Sequence, residues 1–143
     1  MGRMRHLLIG TGLVGTLFLG ASSVDYYEEA LPSTMNPIFS RTMVDFRSHE
    51  LIFDRLYTRS PITNELESRV VESDEIINNG EMLKVTLKKG IKWHDGKPLT
   101  SKDLCFTIKA LLDPKTPSSY AKPYRESIKT CTEQDKMTAV IAF

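Results

Sequence analysis

The stretch LKVTLKKGIKWHDGKPLTSKDLCFTIKALL, residues 83–112, decides the fold class. Its first part alternates: Leu83, Val85 and Leu87 are apolar, while Lys84, Thr86 and Lys88 are polar. Period two predicts a strand with one face buried. The period then changes. Leu104, Cys105, Ile108, Leu111 and Leu112 recur at helical spacing, which predicts an amphipathic helix. Thr100 precedes that helix as a cap, and Asp103 lies at the positive end of its dipole. Asp113-Pro114 ends it, because the residue before proline is disfavoured in helical conformation. A half-buried strand and a one-sided helix each need an apolar partner, so the stretch predicts an α+β domain with Leu83, Val85, Leu87 and Trp93 packed against the helical stripe.

Outward from this stretch, antiparallel hairpins are expected on both sides. Residues 73–77 and 81–88 flank Asn78-Asn79-Gly80, whose residues tolerate positive φ. Residues 127–132 and 137–143 flank Glu133-Gln134-Asp135-Lys136. Residues 115–123 read as a Pro/Ser-rich loop. Further upstream, residues 40–56 read as a helix with Val44, Leu51, Ile52 and Leu56 on its apolar side and His49 on its solvated side. Residues 25–30 read as a short strand. Residues 31–37 read as a loop, because Pro32 and Pro37 exclude regular structure.

The amino terminus has a different character. Arg3 and Arg5 precede an uncharged run from Leu7 to Val24, which turns to small residues at Gly20, Ala21, Ser22 and Ser23. This is the pattern of a secretory signal peptide, residues 1–23, with the mature chain starting at Val24. Its apolar centre is short of the roughly 20 residues of a bilayer span, so no stable membrane insertion is expected after cleavage. The leader has no cysteine, so the product is not expected to be a lipoprotein. Loss of Arg3 and Arg5 would take the formal charge from +1 to −1.

Such a balance gives no drive toward nucleic acid or anionic lipid. With 41% hydrophobic and 26% charged residues the chain is globular rather than disordered. The lysines at 84, 88, 89, 92 and 97 read as a solvated face that discourages edge pairing. His94-Asp95 could suggest acid–base chemistry. Neighbours on a strand point to opposite faces, however, and Asp95-Gly96 has the composition of a tight turn beside a packed Trp93. The histidines and cysteines show no metal-ligand spacing, and no phosphate loop or nucleophile elbow is present. Cys105 and Cys131 can pair in an oxidising compartment, closing a loop of about 26 residues, or stand as two small buried hydrophobes.

Three segments carry a resemblance: LPSTMNPIF (31–39), LIFDRLY (51–57) and LKKGIKWHDGKPLTSKDLCFTIKALLDPKTPSSYA (87–121). The most specific is Lys89 to Asp103. Together they resemble the extracellular solute-binding proteins of peptide and nickel ABC importers, over nearly all of residues 35–143. Departures from the family pattern are Asp74 in place of an aromatic residue, Asn79-Gly80 in place of Asp-Gly, and Cys105 and Cys131 in place of aliphatic residues.

The resemblance implies a binding protein and not an enzyme, without cofactor or metal. It would be exported to the periplasm or cell exterior, hold a peptide or related solute, and deliver it to permease subunits. It also implies that residues 24–36 are the first strand and loop of the ligand-binding lobe, with Leu31, Pro32, Ser33 and Thr34 as candidate ligand contacts. Some relatives carry an acid near there, where this chain has Leu31 and Pro32. Residues 37–143 would be an incomplete accessory domain, and the second lobe would be missing, so this chain alone should bind peptide weakly or not at all. Two other readings are a free-standing exported interaction domain and, on His94 and Asp95, a small hydrolase.

Overall fold

The computed structural model describes residues 27–143. The expected signal segment, residues 1–23, lies outside them. The chain is α+β, and its centre is a four-stranded antiparallel sheet of β3 (Val71–Ile77), β4 (Met82–Leu87), β5 (Thr130–Glu133) and β6 (Thr138–Ala142). The order across the sheet is β3-β4-β6-β5, so β4 and β6 are interior. A two-stranded ribbon, β1 (Thr58–Arg59) with β2 (Leu66–Glu67), precedes it. The helices are α1 (Met43–Ile52), α2 (Ser101–Leu112) and α3 (Lys122–Ser127).

The alternation in 83–87 forms the interior strand as expected. Val85 and Leu87 are buried, and Val85 faces Ala139 across β6 while Leu83 faces Ile141. On β5, Cys131 pairs with Ile141. This face receives α2 through Cys105 and Ile108, and the core closes with Val70 and Val71. Lys84 and Thr86 take the opposite face, with Glu75 opposite Lys84. The turn between β3 and β4 puts Asn78 and Asn79 at φ 53° and 55° and Gly80 at 95°. Asn is among the side chains that tolerate this region.

Helix α2 begins with a reciprocal link: the Thr100 amide and hydroxyl donate to Asp103 Oδ2 at 2.8 and 2.9 Å, and the Asp103 amide donates to the Thr100 carbonyl at 3.0 Å. The Ser101 amide donates to the Lys136 carbonyl at 3.0 Å, tying the helix start to the β5–β6 turn. At the other end Arg125 of α3 donates to the carbonyls of Leu111, Asp113 and Thr116 at 2.8–2.9 Å. The Leu111 carbonyl lies in the last turn, where carbonyls have no intrahelical partner, while those of Asp113 and Thr116 also accept the amides of Thr116 and Ser118.

Several expectations are corrected. The helix expected over 40–56 is the shorter α1, because Thr42 caps it and Phe53 leaves it in extended conformation. Of its expected apolar side only Val44 is buried within the helix: Leu51 and Ile52 are exposed and Leu56 lies beyond it, while Asp45 and His49 are buried. His49 therefore does not stand on a solvated side. Residues 27–30 form no strand. Their acids are held by a side chain of α1 instead. The loop expected over 115–123 ends early, since Pro123 sits in the first turn of α3, where its missing N–H costs nothing. The strand expected over 127–132 begins at Thr130. Trp93 is 40% exposed rather than packed.

Candidate functional site

The four candidate residues lie in coil ahead of α1, and α1 determines their geometry. Asp45 occupies the third position of the helix and is fully buried. Its Oδ1 accepts the Ser33 amide at 2.6 Å. Its Oδ2 accepts the Ser33 hydroxyl at 2.9 Å and the amides of Arg41 and Thr42 at 2.9 and 3.0 Å. The Arg41 amide foremost, then Thr42 and Ser33, hold this carboxyl well below the usual carboxylate range despite its burial.

One turn further, His49 Nε2 is 2.9 Å from the Thr34 carbonyl, and Nδ1 is 2.7 Å from Ser40 Oγ. A carbonyl can only accept, so Nε2 carries a hydrogen. Arg47, between them in sequence, donates to both carboxylate oxygens of Glu28 at 2.6 Å and to Glu29 at 2.8 Å. The fork geometry suits a guanidinium facing a carboxylate. Tyr120 donates to the Pro37 carbonyl, which joins the segment to the region between α2 and α3.

The four candidates therefore divide. Ser33 has its amide and hydroxyl engaged by Asp45, and Thr34 has its carbonyl engaged by His49. Leu31 is 91% exposed and Pro32 has no N–H to offer. Asp45, Arg47 and His49 escaped the reading of the sequence; the capping pattern Thr42-x-x-Asp45 was the available signal for the first.

The other singled-out residues fall elsewhere. His94 and Asp95 lie in the turn after Trp93, where the Gly96 amide donates to the Trp93 carbonyl at 2.9 Å and Gly96 adopts φ 84°. Asp95 pairs with Lys97 at 2.7 Å, which lowers its pKa. It is thus directed at Lys97 rather than serving His94. Cys105 and Cys131 are joined by a disulfide, with Cα atoms 5.2 Å apart, between α2 and β5. Asp74 is exposed on β3; burial first, and the Asp74 charge second, push the Tyr57 phenol up to about 12. An open cleft of about 510 Å³ lies between the end of α1 and the β1–β2 ribbon. Its charges are largely paired already, Arg55 with Glu50 at 2.7 Å and Arg69 with Asp54 at 3.4 Å. Among the described residues no group of His, Cys, Asp and Glu has the arrangement of a metal site, and no helix is long and apolar enough to cross a membrane.

This antiparallel sheet with the helix packed on it is the fold of a segment of known solute-binding proteins. It superposes on AppA of Bacillus subtilis, solved with a nonapeptide, with a TM-score of 0.72 at 22% identity, covering 79% of this chain and 22% of that one. On NikZ of Campylobacter jejuni, solved with Ni(L-His), the TM-score is 0.69 at 25% identity, covering 80% and 22%. The model of the bacterial extracellular solute-binding proteins, family 5 Middle, matches residues 65–143. The chain belongs to that family. Among curated relatives, a dipeptide-binding protein of Lactococcus lactis is 40% identical over 52 residues, 36% of this chain and 10% of the relative. The oligopeptide-binding protein OppA of B. subtilis is 26% identical over 102 residues, 71% of this chain and 18% of the relative. The chain thus spans less than a fifth of the length of these curated relatives.

Proposed function

We propose that these residues are part of the solute-binding component of an ABC importer, exported by the segment 1–23 and acting outside the inner membrane. Its ligand would be a peptide or a related solute, handed to permease subunits, with no covalent chemistry. The observation that carries this reading is the family match over residues 65–143. Peptide-binding names among the relatives support the ligand class. On the same reading, residues 24–36 belong to the ligand-binding lobe and 37–143 to an accessory domain. Leu31 to Thr34 form the part of the site present here.

Because the matched relatives are several times longer, a peptide held here alone would keep much of its surface in water. A pocket-bound small ligand typically buries about 70–90% of its surface. Main-chain contacts at one loop add little net affinity. Calorimetric titration of a random short-peptide library into the purified chain should therefore give only millimolar binding or none. Submicromolar binding would overturn the incomplete-site reading.

A second reading, a free-standing exported interaction domain, draws on the core that α2 and the sheet close between themselves with a disulfide across it. Perturbation of the Leu31, Ser33 and Thr34 amides by millimolar peptide favours the first reading. Its absence, with a stable partner recovered from the exported fraction, favours the second.

A further inference from the structure

Helix α1 buries the wrong residues for a packing helix. Its inner face holds a carboxylate and an imidazole, while Met43 and Leu51 face outward. Each polar group of this face reaches the segment 28–34, although Asp45 also accepts the amides of Arg41 and Thr42 and His49 also meets Ser40. Glu28 and Glu29 meet Arg47, Ser33 meets Asp45, and Thr34 meets His49. The contacts bridge 12 to 19 residues of sequence, so they are tertiary and not features of a local turn.

We propose that Asp45 and His49 are positioning residues that latch the main chain of Ser33 and Thr34 onto α1. The latch engages the Ser33 amide and hydroxyl and the Thr34 carbonyl, and leaves Leu31 and Pro32 to face a ligand. The contact that Leu31 and Pro32 offer is then apolar, whereas Glu28 and Glu29 share the single guanidinium of Arg47 and so keep one net negative charge beside it. Through Leu31 and Pro32 it favours an apolar side chain of a peptide. The ligand-facing part of this inference rests on the functional reading above; the latch itself does not.

The two parts are tested separately on the full chain. Amide hydrogen exchange followed by NMR reads the latch without any ligand. In the wild type the Ser33 amide should be protected although its residue is exposed; exchange at the rate of an unstructured peptide overturns the latch without recourse to a variant. Asp45→Asn supplies a sharper comparison. Asparagine has one acceptor oxygen, and three donors compete for it on the Oδ2 side, so the Ser33 amide would face an NH₂ group. Its exchange should accelerate about tenfold or more, while the amides of Val85 and Ile108 keep their rates. Equal Ser33 exchange in the two proteins overturns the proposal. The ¹⁵N spectrum of His49 should show a hydrogen on Nε2; a bare Nε2 with the hydrogen on Nδ1 overturns the Thr34 half.

Millimolar trialanine and trilysine then probe the ligand-facing part. Trialanine should shift Leu31 and leave the Ser33 protection intact, and trilysine should shift Leu31 less. A stronger response to trilysine overturns the apolar assignment. A protected Ser33 with no response to either peptide supports the latch and overturns the ligand role of the segment.

Discussion

Reduction of the Cys105–Cys131 disulfide should remove a large part of the stability of this chain. The bond spans 26 residues of sequence and connects α2 to β5, an edge strand. In the chain-entropy account a loop of that length restricts the unfolded state by about 12 cal/mol/K, or ~3.5 kcal/mol at room temperature. A domain of this size has a total stability of about 5–15 kcal/mol, so the loss is a major fraction. Reduction is a cleaner perturbation than substitution. Both sulfur atoms are retained in a core where Cys105 is fully buried, so no cavity is added, whereas alanine at both positions would add one. The assay is equilibrium urea unfolding of oxidised protein and of protein reduced in denaturant and refolded under reductant, with thiol titration confirming each state. With a slope of about 1–3 kcal/mol/M, the midpoint should fall by about 1.2–3.5 M. Coincident midpoints would refute the reasoning. They would mean that α2 is held by Ile108, Leu111 and its capping contacts alone, with the cross-link idle.

Ile108→Ala should cost about 2–5 kcal/mol in the same assay, because the side chain is 8% exposed against the sheet; an unchanged midpoint would show that the stripe does not face the core. Asp45 makes the stability acid-sensitive. Its folded pKa lies below the ordinary 3.8, so its contribution is complete above about pH 4 and is lost as pH falls further; the thermal midpoints of wild type and Asp45→Asn should therefore converge in acid, and a gap that widens there would contradict this. Mass spectrometry of exported protein should find an amino terminus within a few residues of Val24, and intact Met1 in the exported pool would overturn the export reading.

How much of this was legible varies with the range of the interactions. The strand, turn and helix of 83–112 could be read because each is specified locally: period two in Leu83, Val85 and Leu87, a glycine at φ 84° in the turn, and a capped apolar stripe in α2. Helix α1 could be located but not oriented. A histidine in a charged helix is expected in water, and nothing within a few residues of His49 announces a carbonyl 15 positions away. The two-residue strands β1 and β2 are too short to show a period. Helix α3 was hidden by Pro123, which reads as loop unless the chain is known to turn helical at that residue. The cysteines could be named, but their 5.2 Å approach depends on how α2 lies on the sheet. In the candidate site the loop was found by resemblance, whereas the residues that hold it are buried polar groups, which hydrophobic patterning does not reveal.

The two regions are held by different forces. Between α2 and the sheet the contacts are apolar, with Val85, Leu87, Ala139 and Ile141 shielded from water and a covalent bond across them. Such contacts depend little on salt or on mild acid. The 28–34 segment is held to α1 by charge-assisted hydrogen bonds, among them an arginine that remains partly open to solvent. Those contacts are directional, so they fix a main-chain conformation that apolar packing would leave free to slide. They also weaken when a carboxyl is protonated or ions screen the exposed pair. Sites that are well separated and share no partner respond independently, so reduction at Cys105–Cys131 and substitution at Asp45 act on different parts of the molecule.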